Sequence, residues 1–199
     1  RTILFATGVI DRRPPIPEAE NAIGKSLLRF CPICDGFEAM LERIAVIGTD
    51  DHAVREALFL RTYSPCVSLL TLGAGNAISQ SGREQLLSAN IPLVAVRQER
   101  LRFEGAQMHA VDLDGAPLPP FEVVYGALGV IPQTEMARTI GVTVDTRGCI
   151  WVDEHQRTVL PTVYAAGDVV RGLDQISVAL GEAAIAATAI HNSLSPVKI

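Results

Sequence analysis

Cys31 and Cys34 stand two residues apart in the run Cys31-Pro32-Ile33-Cys34-Asp35-Gly36. Thiols at this spacing can close into a small disulfide ring and reopen, which stores two electrons. The Asp35 carboxylate beside them can carry protons on and off sulfur. A structural zinc site would need two more ligands nearby, and neither Cys66 nor Cys149 has a partner at ligand spacing, so no metal is expected. The pair precedes Ile44-Ala45-Val46-Ile47-Gly48, an apolar run ending in glycine that reads as the first strand of a nucleotide-binding unit. That neighbourhood favours redox chemistry over zinc. Cys66 and Cys149 read as buried thiols in strands, and His52, His109, His155 and His191, scattered singly, as surface or packing residues.

The elements that must position this chemistry follow from the apolar pattern. Ile3–Ala6 reads as a strand, and three prolines within residues 14–17 mark an exposed linker after it. A short helix over Ile23–Arg29 leads into the cysteines. After strand Ile44–Ile47, the apolar spacing of Ala53, Ala57, Leu58 and Leu60 predicts a helix over 51–62, and Val67–Leu72 is a second buried strand. Strand, helix and strand at this length imply a parallel pair. A helix over 82–89 comes next. The segments Leu93–Val96, Leu101–Glu104 and Gln107–Leu113 read as antiparallel strands, with Asp114-Gly115 as a hairpin turn. Phe121–Gly129 is a buried strand, Trp151–Asp153 a short one, and Val163-Tyr164-Ala165-Ala166-Gly167-Asp168 a strand that ends in glycine and aspartate. A long helix over 175–192 follows.

The bulk composition narrows the function classes. A chain of 199 residues with 48% hydrophobic and 20% charged residues can bury a core as one domain or two small ones. A net charge of −5 carries no electrostatic footprint for nucleic acid, so no such partner is expected. Four cysteines are too few for a secreted disulfide scaffold. Gly181 and Glu182 interrupt the most apolar helix, which argues against a membrane partner, and a soluble cytoplasmic protein without a signal peptide is expected. Arg1 opens almost directly into a core strand, so the sequence is expected to be the remainder of a longer protein.

Ala6-Thr7-Gly8, Cys31-Pro32-Ile33-Cys34-Asp35-Gly36 and Tyr164-Ala165-Ala166-Gly167-Asp168 together resemble the low-molecular-weight thioredoxin reductase family, in its order and approximate spacing. The resemblance implies an α/β fold in which a Rossmann-like three-layer pyridine-nucleotide domain is inserted into an incomplete FAD-binding domain. Residues 1–24 and 129–199 would be flavin-domain pieces and 25–128 the insert. It further implies that Thr7, Gly8, Gly167 and Asp168 contact FAD, with Asp168 on the ribityl chain and Gln175-Ile176 presenting helix N–H groups to the flavin edge. Cys34 would face the isoalloxazine ring, Cys31 would attack the substrate disulfide, and Asp35 would act as acid and base. The implied partners are a thioredoxin-like protein or a small disulfide, and a second copy of the chain in a homodimer.

Two departures from the family pattern stand out. Its Gly-x-Gly-x-x-Ala loop reads Gly48-Thr49-Asp50-Asp51-His52-Ala53 here. Gly48 keeps the turn and Ala53 the close packing, but Asp50 replaces the glycine that lets a pyrophosphate approach. The arginine-rich segment that holds the 2′-phosphate of NADPH is Thr71-Leu72-Gly73-Ala74-Gly75, without a cation, unless Arg83 compensates. The family's first glycine-rich loop would stand before Ala6-Thr7-Gly8 and is not in this sequence, so tight FAD binding is expected of the parent protein rather than of this chain. Three readings remain open: electrons pass from NADPH through FAD to Cys31–Cys34; a flavin dithiol oxidase or reductase uses another donor; or a degenerate domain uses the cysteines as a redox sensor.

Overall fold

The computed structural model describes residues 1–73 and 77–195. In chain order its strands and helices are β1 (Ile3–Phe5), β2 (Val9–Asp11), α1 (Ala19–Gly24), β3 (Leu28–Arg29), α2 (Pro32–Asp35), β4 (Ile44–Gly48), α3 (Asp51–Leu60), β5 (Val67–Leu72), α4 (Gln80–Ser88) and β6 (Leu93–Val96). There follow β7 (Arg102–Glu104), β8 (Gln107–His109), β9 (Val123–Ala127), β10 (Val130–Pro132), α5 (Glu135–Thr139), β11 (Val163–Ala165) and α6 (Ile176–Leu194). They form two compact units, one of residues 1–10 and 130–199, the other of residues 11–129.

The unit of residues 11–129 is built on a parallel sheet ordered β3-β9-β4-β5-β6. Every residue of β4 and β9 is buried, as a strand covered on both faces requires. Alternation then divides the sheet between two cores. Ile44, Val46 and Leu69 face Ala53, Ala57 and Leu60 of α3, while Ala45, Ile47 and Leu70 share the other core with Ala19 and Ala22 of α1 and with Met108 and Phe121. The result is a three-layer, Rossmann-like arrangement. Helix α3 starts where Asp50 caps it and buries Ala53, Val54, Ala57 and Leu60 at three- and four-residue spacing. Ser79 caps α4 by accepting the Gly82 N–H at 3.0 Å.

Several sequence expectations are corrected. The helix expected at Ile23–Arg29 lies earlier, because the chain turns through Ser26 at φ 56° and Leu28 and Arg29 pair with β9 as an edge strand. The proline-rich passage is no linker. Pro14 is buried and Ile16 joins the core beside Ala19 and Ala22, so residues 11–24 fold with this unit rather than with residues 1–10. Leu93–Val96 pairs parallel with β5, since α4 carries the chain back across the sheet; β7 and β8 do form an antiparallel hairpin. Cys66 is exposed, just ahead of β5, whereas Cys149 is buried and its thiol pKa is pushed up, chiefly by that burial.

In the other unit β1 pairs parallel with β11, and Phe5, Val163 and Ala165 pack with Ala137, Val142, Ile150 and Val169. Trp151–Asp153 is not a strand. Ile150 alone bridges Val144 and Val170, and Trp151 turns outward beneath the Arg171 guanidinium, 5.5 Å above its ring. Helix α6 buries only Ala186 and Ala189 among its described residues. No helix among the described residues is long and apolar enough to cross a membrane.

Gly48 shows how closely β4 is fitted. A methyl group there would lie 2.2 Å from the Ala53 Cβ and 2.9 Å from the Ala127 carbonyl oxygen. Backbone cannot yield as a side chain can, so Gly48→Ala is expected to destabilise this unit by about 3 kcal/mol. Urea unfolding would read this as a lower midpoint, and an unchanged midpoint would show that the turn reshapes freely.

Candidate functional site

The dithiol lies in the unit of residues 11–129, on a single helical turn between β3 and β4. Cys31 caps α2, Pro32 occupies its first position, and the Cys34 N–H returns to the Cys31 carbonyl at 2.9 Å. This turn brings the two Cα atoms to 5.3 Å, and the sulfurs are joined as a disulfide, within the spacing such a bond requires. Cys31 is half-buried and Cys34 exposed. Ile33, Phe37, Met40 and Leu41 expose apolar side chains along the same segment. The fold can therefore present a reversible disulfide to a partner without unfolding anything around it.

Asp35 is held by residues that the sequence reading did not single out. Tyr125 in β9 donates its hydroxyl to Asp35 Oδ1 at 2.7 Å. Arg29 in β3 donates to the Asp35 carbonyl at 3.0 Å and stands 4.0 Å from Asp35 Oδ2 and 3.2 Å from Glu38 Oε2. Burial and the Asp35 carboxylate push the Tyr125 pKa well above its ordinary value, so the hydroxyl remains a donor. One signal was present in the sequence. A tyrosine inside the otherwise small and aliphatic strand Val123–Ala127 must find a partner for its hydroxyl.

The loop after β4 shows how the two acids are used. Asp50 takes extended geometry as the cap of α3 and accepts the His52 N–H at 2.9 Å. Asp51 Oδ1 accepts the Ser79 N–H at 2.8 Å, and hydrogen bonds from Ser79 hold its pKa below the ordinary carboxylate value. The Thr49 carbonyl accepts the Ala77 N–H at 2.6 Å, closing the loop onto the segment ahead of α4. A pyrophosphate on a dinucleotide fold uses the free N–H groups at this helix end and its positive dipole. Here a carboxylate already takes one of those donors, and Asp51 adds a second negative charge. Leu72 and Gly73 bring no cation to the end of β5; Ala74 and Gly75, also expected to lack one, lie outside the described residues. Arg83 lies in α4. Gly48 and Ala53 keep their packing roles, but the loop does not fit a nicotinamide dinucleotide.

The expected flavin contacts fall in the unit of residues 1–10 and 130–199. Gly8, Gly167 and Asp168 come together with Ala6, Ala166 and Ala179 along a cleft of about 250 Å³. Gly8 at φ 66° and Gly167 at φ 78° supply turns that a side chain would strain. A methyl group at Gly8 would meet nothing within 4 Å, so the floor of the cleft is open for close approach. The Gly167 N–H is held by Glu182 Oε2 of α6 at 2.7 Å, a contact the sequence reading missed. Thr7 turns its hydroxyl to the Gln133 carbonyl at 2.6 Å. Gln175 caps α6 and Ile176 is 83% exposed, but neither lines the cleft. Small walls, two positive-φ glycines and a rim carboxylate fit part of a flavin nucleotide. Among the described residues no three of His, Cys, Asp and Glu gather as a metal site would require.

Comparison with known proteins agrees with this geometry. The chain is 29% identical to a thioredoxin reductase of Listeria innocua, over 94% of this chain and 60% of that protein. The crystal structure of a thioredoxin reductase from Streptococcus pyogenes superposes with a TM-score of 0.85 at 25% identity, covering 97% of this chain and 65% of the other. That of HlmI does so with a TM-score of 0.76 at 30% identity, covering 94% and 58%. The chain thus spans about 60% of the length of the curated relatives it matches. Residues 1–183 match the family described as pyridine nucleotide-disulphide oxidoreductase, and the chain belongs to that family.

Proposed function

We propose that this chain is the dithiol-bearing part of a flavin-dependent thiol–disulfide oxidoreductase resembling thioredoxin-disulfide reductase. The observation that carries this reading is the Cys31–Cys34 disulfide, closed on an accessible turn beside Asp35. In the reduced state one thiolate attacks a substrate disulfide, and the second thiol then closes the ring, delivering two electrons. We assign Cys31 to the attack, Cys34 to the flavin side, and Asp35 to proton transfer. Thr7, Gly8, Gly167 and Asp168, with Gln175 and Ile176, are the residues we assign to the flavin. A bound flavin supplies reversible two-electron chemistry. The substrate in this reading is a thioredoxin-like protein or a small disulfide, and the working form a homodimer.

The family's usual nicotinamide donor has less support in this chain. The Asp50 cap and the Asp51–Ser79 bond favour a second reading within the same chemistry, in which electrons enter from a donor other than NADPH.

A thiol count tests the dithiol. The sequence holds four cysteines, and Cys66 and Cys149 are unpaired with one another or with the motif. Denatured oxidised protein should release two thiols per chain to a colorimetric disulfide reagent, and protein first treated with a dithiol and desalted should release four. Reoxidation of the second sample by a protein disulfide should restore the first count. Four thiols before any reductant is added would remove the basis of the reading.

A further inference from the structure

Arg29 and Tyr125 are direct partners in the register of β3 and β9, so their side chains leave the sheet on one face, side by side. That is the face on which the turn after Cys34 sits. Tyr125 is fully buried against Ala39, Ile44 and Val46, which fixes its ring and aims its hydroxyl at Asp35 Oδ1. Arg29 is tied by its Nε to the Ser26 carbonyl at 2.9 Å and by Nη1 to the Asp35 carbonyl. It therefore clamps the backbone of the turn and brings a positive charge near Oδ2. The Asp35 side chain is still 30% exposed, so protons can reach it. The other groups around it are Glu38, which shares the Arg29 guanidinium, and the Tyr63 ring, whose edge lies against Gly36.

We infer that Tyr125 is a positioning residue for proton transfer at the dithiol, acting through Asp35 with Arg29 as the clamp of the turn. The inference rests on Asp35 being the acid and base of the proposed reaction. In that reaction the Cys31 thiolate attacks one sulfur of the substrate disulfide, the substrate S–S bond breaks, and the first leaving thiolate takes up a proton. Cys34 then gives up its proton, its thiolate closes on Cys31, and the second substrate thiolate leaves. Each turnover oxidises two thiols and reduces one disulfide. The proton leaving Cys34 passes through a carboxylate that is useful only if it keeps one position while the ring opens and closes. A hydroxyl and a guanidinium on two adjacent strands supply that fixity.

A double-mutant cycle tests it on the chain itself. Wild type, Tyr125→Phe, Asp35→Asn and the double variant are reduced, and the rate of alkylation of Cys31 and Cys34 by iodoacetamide is followed against pH. Peptide mass spectrometry separates these thiols from Cys66. A hydrogen bond to a charged group is worth about tenfold or more, so Tyr125→Phe should shift the midpoint by about one pH unit. It should do nothing further once Asp35 is Asn. A shift that persists in the Asp35→Asn background, or none from Tyr125→Phe where Asp35→Asn has one, overturns the inference. If Asp35→Asn leaves the profile unchanged, the acid–base assignment itself fails, and the role of Tyr125 fails with it. Phenylalanine keeps the buried ring, and circular dichroism checks the fold. Should that variant misfold, Arg29→Gln is read on the same midpoint, where a shift lost in the Asp35→Asn background supports the grip on Asp35 and any other result overturns it.

Discussion

Cys34→Ser is expected to halt disulfide turnover while leaving a protein that traps its substrate. Cys31 can still attack, but the mixed disulfide that results has no neighbouring thiol to resolve it. Incubation of the reduced variant with a protein disulfide should therefore accumulate a covalent adduct, visible on a non-reducing gel and discharged by dithiol. Cys31→Ser should give little adduct, because the attacking sulfur is gone. Turnover in both should fall by roughly a thousandfold or more, the usual scale when a nucleophile is removed. The local geometry makes this asymmetry informative: both residues sit on one turn, with Cα atoms 5.3 Å apart, so differences between the variants report roles rather than reach. Equal trapping by both variants would reverse or erase the proposed assignment.

Added NADPH, by contrast, is expected to find almost no site. A charge-assisted hydrogen bond contributes about 1.5–3 kcal/mol. Losing two of them at the end of β5 and at the α3 terminus weakens binding by roughly a hundredfold to ten-thousandfold. Fluorescence titration or calorimetry on the purified chain should show no saturation at micromolar nucleotide. Asp50→Gly frees the His52 N–H and removes one negative charge, so it should recover about tenfold of that loss. Its own cost to the helix is small, since glycine is a tolerable cap. Micromolar NADPH binding by the wild-type chain would show that the loop opens and that the acids yield to the phosphates.

The same loop shows why part of this protein was legible in one dimension. β4, α3 and β5 were readable because each signal is local: a continuous apolar run, an acid at the cap, and alanines and leucines at helical spacing. Asp50 could be recognised as hostile to a phosphate from its place after Gly48. Its acceptance of the His52 N–H is likewise a contact between near neighbours. β3 was not legible, because two residues are too short to display a period and only pairing with β9 makes them a strand. Pro14 and Ile16 looked like linker because prolines announce exposure, yet the core beside α1 takes them in. Trp151–Asp153 has the residue types of a strand but no neighbouring strand with which to pair.

The sequence by itself determined the dithiol. Four consecutive residues form one helical turn, and that turn is enough to bring two sulfurs into bonding range wherever it lies. What only the tertiary structure decided is the surroundings of Asp35. Tyr125 is 90 residues away along the chain, and Arg29 reaches the same carboxylate only because β3 joins β9 in that register. Side-chain alternation settles which residues of a strand share a face, but the order of strands in the sheet settles whose face they meet. That order arises from burying both sides of β4 and β9 at once, a condition that depends on all the strands together.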